Sequence, residues 1–137
     1  MKKILFALSL SSLLITSMAH SEGLKIRPGM WETTMVSTNS MTGTTTQTTS
    51  NCMADEEFDP KTMAEGAEGC EIIDNNVDGN TLTFTMACNM QGAEVTMKGL
   101  YAVEGDEGEG SMNMEMSFGG QTMTMENTFT AKRIGEC

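Results

Sequence analysis

Residues 112–125 read Met112-Asn113-Met114-Glu115-Met116-Ser117-Phe118-Gly119-Gly120-Gln121-Thr122-Met123-Thr124-Met125. Methionine stands at every second position on both sides of a Gly-Gly pair, with polar residues between. A period of two is that of a β-strand, whose side chains point alternately to two faces. The glycine pair supplies the positive φ angles of a two-residue hairpin turn. The stretch therefore predicts a β-hairpin with Met112, Met114, Met116 and Phe118 facing Met123, Met125 and Phe129, and threonines and glutamate pointing away.

The same alternation extends outward from this hairpin. Leu82, Phe84, Met86 and Cys88 share one face, against Thr81, Thr83 and Thr85 on the other. Val95, Met97, Tyr101 and Val103 line a further strand, and Trp31, Thr33 and Met35 alternate with Glu32, Thr34 and Val36 near the start. Thr44–Cys52 is almost entirely threonine, glutamine and serine, which suits an edge or solvent-facing strand, with a mobile loop as the alternative. Asp78-Gly79 signals a hairpin, and the acidic, glycine-rich run from Glu104 to Gly110 reads as a solvated turn.

One segment breaks the pattern. Between Ala54 and Gly66, Pro60 suits a first helical turn, Asp59 its cap and Gly66 its stop. Phe58 and Met63 would lay this excursion over one end of the sheet. One apolar and one polar face per strand is the mark of an antiparallel sheet over a single core. The expected fold is mainly β, an antiparallel meander of about seven strands curled into a half-barrel or small barrel. A short helical excursion after the second strand caps one mouth.

The chain begins with an address. Lys2 and Lys3 precede an apolar run from Ile4 to Ile15, and Ser17-Met18-Ala19 places small residues before a cleavage site. The run is too short for a membrane span. Residues 1–19 are read as a cleaved signal peptide, with a cut after Ser21 as the alternative, and residues 22–137 as one disulfide-bonded β domain. A bacterial periplasm is the expected destination. Loss of Lys2 and Lys3 leaves six basic residues against nineteen acidic ones, a net charge of about −13. That surface repels nucleic acid and anionic lipid, so neither is an expected partner.

Four cysteines, Cys52, Cys70, Cys88 and Cys137, predict two disulfides in an exported chain. No pair has the spacing of a zinc site or a redox motif. Three connectivities are open. The favoured one joins Cys52 to Cys70 and Cys88 to Cys137, closures worth roughly 3 and 4 kcal/mol on the loop-entropy account.

Catalytic equipment is sparse. His20 is the lone histidine, and a cut after Ala19 would make it a copper-chelating N-terminus without the second histidine that a histidine-brace oxidase needs. Ser111 and Ser117 have no base to activate them. Asp74-x-Asn76-x-Asp78-Gly79 imitates a calcium loop, but its twelfth position is Thr85 and a hairpin turn explains it. Glu104, Asp106, Glu107 and Glu109 are read as a solvated turn.

An ordered set of markers runs through the chain: Pro28-Gly29-Met30-Trp31-Glu32, Cys52, Gly69-Cys70, Gly79-Asn80-Thr81, Met86-x-Cys88 and Arg133-Ile134-Gly135-Glu136-Cys137. Together they resemble domain-of-unknown-function family 3617, exported bacterial proteins with four cysteines. The resemblance implies a small disulfide-bonded periplasmic β domain and carries no catalytic residue or cofactor.

Function is thus expected to be non-enzymatic, in binding or interaction, with a small apolar ligand or another periplasmic protein as partner. Trp31, Phe84, Met86, Tyr101, Phe118 and Phe129 are the candidate ligand-lining residues. The alternative is soft-metal binding, Cu(I) on Met112, Met114, Met116, Met123 and Met125. A hydrolase ranks third. The methionine face itself is expected to pack shut as core.

Overall fold

The computed structural model describes residues 23–137. The signal segment, its cleavage site and His20 lie outside the described residues. The elements are β1 (Leu24–Lys25), β2 (Gly29–Asn39), β3 (Gly43–Met53), β4 (Glu57–Phe58), α1 (Pro60–Glu65), β5 (Cys70–Asp78), β6 (Thr81–Met90), β7 (Ala93–Glu104), β8 (Glu107–Phe118) and β9 (Gln121–Gly135). Seven strands make one antiparallel sheet in the order β3-β2-β9-β8-β7-β6-β5. It does not close into a barrel, since β3 and β5 stay as its two edges. Among the described residues no helix is long and apolar enough to cross a membrane.

The meander is interrupted once. β2 and β3 form a hairpin at one edge, and β9 returns to pair with β2 through Met35 and Phe129. The segment between β3 and β5 must therefore pass from one edge of the sheet to the other. It carries β4, which pairs with β1 through Leu24 and Phe58, and then α1, which packs beside β5. Asp59 caps α1 by accepting a hydrogen bond from the Lys61 N–H at 2.9 Å, as the sequence predicts.

The alternation decides which face is inner. Leu82, Phe84, Met86 and Cys88 of β6 are buried while Thr81, Thr83 and Thr85 are not. Leu24 and Val95 complete the sealed core, and Met112, Met114 and Met116 pack against it half-buried. The β8–β9 hairpin turns on Gly119 and Gly120, at φ 57° and 80°, so the opening motif forms as its spacing requires. The run from Glu104 to Gly110 departs from expectation. Only Gly105 and Asp106 turn, and β8 already begins at Glu107. Gly110 lies within β8, where the Phe129 ring opposite occupies the space a side chain would take, whereas Gly108 stands beside Ala131 with room for one.

The favoured cysteine pairing is corrected. Cys52 is bonded to Cys137 and Cys70 to Cys88. A bulge explains the second bond. Asp74–Asp78 pairs with Thr81–Thr85 in one register, whereas Ile72 and Cys70 pair with Met86 and Cys88 in another. Ile73 is the extra residue, left exposed, and it moves Cys70 directly opposite Cys88. For the first bond, β2 pairs with both β3 and β9, Met30 meeting Cys52 on one side and Gly135 on the other. Cys137 thus reaches Cys52 across β2.

Candidate apolar binding site

The inner face is sealed on the β5–β7 side and open on the β2–β9 side. A row of residues crosses it from Met35 through Phe129, Gly110 and Tyr101 to Leu82. Gly110 lacks a side chain, so the rings of Phe129 and Tyr101 close over it with centroids 4.9 Å apart. Tyr101 also stacks on Phe84 at 5.8 Å and meets Phe58 edge-on at 5.2 Å. In the next row the Phe84 ring covers Gly99 in the same manner. On the other side Val103, Gly108 and Ala131 stand in a row of small residues that no ring fills.

That unfilled row is the floor of a hollow of about 260 Å³. Its walls are Leu24, Ile26, Trp31, Met53, Phe58, Met63, Tyr101 and Phe129, and they are mainly apolar. A second hollow of about 330 Å³ lies against Thr33, Met35, Tyr101, Met112, Asn127 and Phe129. The two share Thr33, Tyr101 and Phe129, so one wall serves both. The methionine face, expected to pack shut as core, packs against the sealed core at Met112, Met114 and Met116 on one half of the sheet. Three small residues in register leave the other half open.

Polar groups mark the ends. Trp31 Nε1 donates to the Arg27 carbonyl at 2.9 Å, which fixes the indole on the wall. Arg133 Nε donates to the Pro28 carbonyl at 2.7 Å, and its guanidinium pairs with Glu136. Asn127 is buried, accepting from Ser37 Oγ at 2.6 Å and donating to the Met112 carbonyl at 3.4 Å. Over the first hollow, β1 is held to β4 by the Glu57 carboxylate, which takes Gly23 N–H at 2.5 Å and Lys25 Nζ at 2.6 Å. The Lys25 and Gly23 hydrogen bonds hold the Glu57 carboxyl below its usual range. Burial pushes the Tyr101 hydroxyl above its usual value near 10, because the phenolate would lose its water.

The candidate residues separate accordingly. Trp31, Tyr101 and Phe129 come together on the hollows. Phe84 and Met86 lie in the sealed core, and Phe118 is 64% exposed at the hairpin tip. Of the methionines, Met112 lines the second hollow, Met114 faces Met125, and Met116 faces Met123. Leu24, Ile26, Met53 and Ala131 line the site without a sequence signal. Leu24 and Ile26 sit in short or irregular stretches where no alternation can show, Met53 ends an otherwise polar strand, and Ala131 is a small residue late in β9, whereas Phe58 and Met63 are recognisable as a cover.

The opposite face bears a larger polar hollow of about 560 Å³ with Glu32, Glu104, Glu107, Glu109 and Lys132. Among the described residues no cluster of three or more His, Cys, Asp or Glu is placed to hold a metal ion. Every described Asp and Glu is exposed except half-buried Asp59, which caps α1. A hydrolase resting on buried paired carboxylates gains no residue from this arrangement.

Neither a curated protein nor a solved structure matches the chain. The sequence model described as "Protein of unknown function (DUF3617)" matches residues 26–137, which include all four cysteines and every wall of both hollows except Leu24. By that match, over most of its length, the chain belongs to the DUF3617 family.

Proposed function

We propose that this protein is an exported, non-enzymatic binding module that holds a small apolar ligand on the open half of its sheet. The observation that supports it most is the wall made by Tyr101 and Phe129, with an apolar hollow on either side. Each volume is near the lower bound of small-molecule sites, about 300 Å³, and together they fall within the usual range. The lining follows the general pattern of such sites, aromatic and aliphatic walls with a few polar groups at the ends. The ligand is read as not anionic, since a chain of net charge −11 disfavours an anion at the mouth. Two disulfides accord with a periplasmic location.

Trp31 is the only tryptophan, so its fluorescence reports the wall directly. Titration with a neutral apolar probe such as N-phenyl-1-naphthylamine should transfer energy from Trp31 and saturate at low stoichiometry. The reading fails if the probe adds without saturation, or equally well to a variant whose hollow is filled by Gly108→Val.

A further inference from the structure

We infer that the β8–β9 hairpin carries a second site, for a soft monovalent cation of the Cu(I) or Ag(I) type, on Met114, Met116, Met123 and Met125. Register carries the argument. Met114 stands directly opposite Met125, and Met116 opposite Met123, so four thioethers rise from the corners of one rectangle on one face. Diagonal neighbours in such a rectangle have Cβ atoms about 7 to 8 Å apart, so its centre lies about 4 Å from each. Each Sδ is two bonds from its Cβ, so side-chain rotation can bring the sulfurs inward, Met123 by leaving Asn39. A metal–sulfur bond of about 2.3 Å then covers the remaining distance.

The donor set selects the ion. All four cysteines are bound in disulfides, so thioethers are the soft donors left. Thioethers favour Cu(I) over hard cations, which need oxygen ligands. The described carboxylates nearest in sequence, Glu115 and Glu126, point to the opposite face. There they add to the acidic field that draws cations in without competing as ligands. The Asn39 amide donates to Met123 Sδ at 3.9 Å, a weak contact that cation entry would exchange for a metal bond. Behind the rectangle, Met97 faces Met114 and Met86 faces Met97, extending the row across four strands into the sealed core. The rectangle lies towards the Gly119–Gly120 turn, beyond Met112 from the hollow on Trp31. It is thus a site distinct from the apolar one.

The test is an anaerobic competition titration of the disulfide-intact protein against a chromophoric Cu(I) chelator, with a thiol-free reductant. One equivalent of Cu(I) should leave the chelator. In the variant Met114→Leu, Met116→Leu, Met123→Leu and Met125→Leu, affinity should fall at least tenfold, while Met30→Leu retains it. Should the fourfold variant not fold, ε-methyl NMR of the wild-type protein with Ag(I) decides. Shifts confined to the four methionines support the site, and shifts spread over the other methionines overturn it. Failure to withdraw Cu(I), or unchanged affinity in a folded fourfold variant, also overturns it.

Discussion

The ring of Tyr101 meets the ring of Phe129 at 4.9 Å over Gly110, and each ring forms part of both hollows. The glycine between them is what allows the contact, because a Cβ there would run into the Phe129 ring. Aromatic pairs at this separation add about 0.5 to 1.5 kcal/mol beyond the area they bury. The wall is therefore a preformed element of the fold, and the space beside it is fixed by the small residues at 103, 108 and 131.

Tyr101 is the only tyrosine, so its titration is visible directly in the ultraviolet. Its ionisation should have a midpoint above 10 in the folded protein and return to about 10 on unfolding. The folded value lies above the unfolded one. Its contribution to stability is thus fully present below about pH 10 and is lost as pH rises through the folded value. Tyr101→Phe should flatten the decline in stability above pH 10, measured by urea midpoints. A filled hollow should raise the Tyr101 midpoint further.

The inner-face glycines differ in their tolerance. A Cβ at Gly99 would strike the Phe84 ring, whereas one at Gly108 would meet its neighbours at 3.6 to 3.7 Å, ordinary contact. Gly99→Ala should cost about 1 to 3 kcal/mol by overpacking. Gly108→Ala should be neutral or stabilising by up to about 1 kcal/mol, since alanine loses less freedom in a strand. Chemical denaturation of the two variants checks this, and equal losses would refute the packing described.

The two disulfides close loops of very different length, 18 residues for Cys70–Cys88 and 85 for Cys52–Cys137. Chain entropy assigns them about 3 and 4.5 kcal/mol. Non-reducing peptide mapping should recover these pairs. The double variant Cys52→Ala with Cys137→Ala should lose more stability than Cys70→Ala with Cys88→Ala.

Strand identity was legible wherever one face is apolar and the other polar. Leu82, Phe84 and Met86 against Thr81, Thr83 and Thr85 leave no other reading. The β8–β9 hairpin was equally plain from its methionines and its glycine pair. What alternation cannot carry is pairing order and register. The bulge at Ile73 is one apolar residue among several, yet it sets the Cys70–Cys88 bond. The return of β9 to β2 likewise sets Cys52–Cys137 and leaves no local mark. Phe118 was misplaced because its parity is right but its strand ends there. Of the hollow, Trp31, Tyr101 and Phe129 could be named, but not the row of Val103, Gly108 and Ala131. Small residues acquire meaning only when neighbouring strands set them side by side.

The open half of the sheet is proposed to hold an apolar ligand. Native mass spectrometry of the disulfide-intact protein, purified from its own cells without detergent, tests it most directly. The spectrum should show a discrete added mass, released by organic solvent and absent from a folded Gly108→Val variant. Bare polypeptide alone in the wild type, or an adduct that persists unchanged in Gly108→Val, would contradict it.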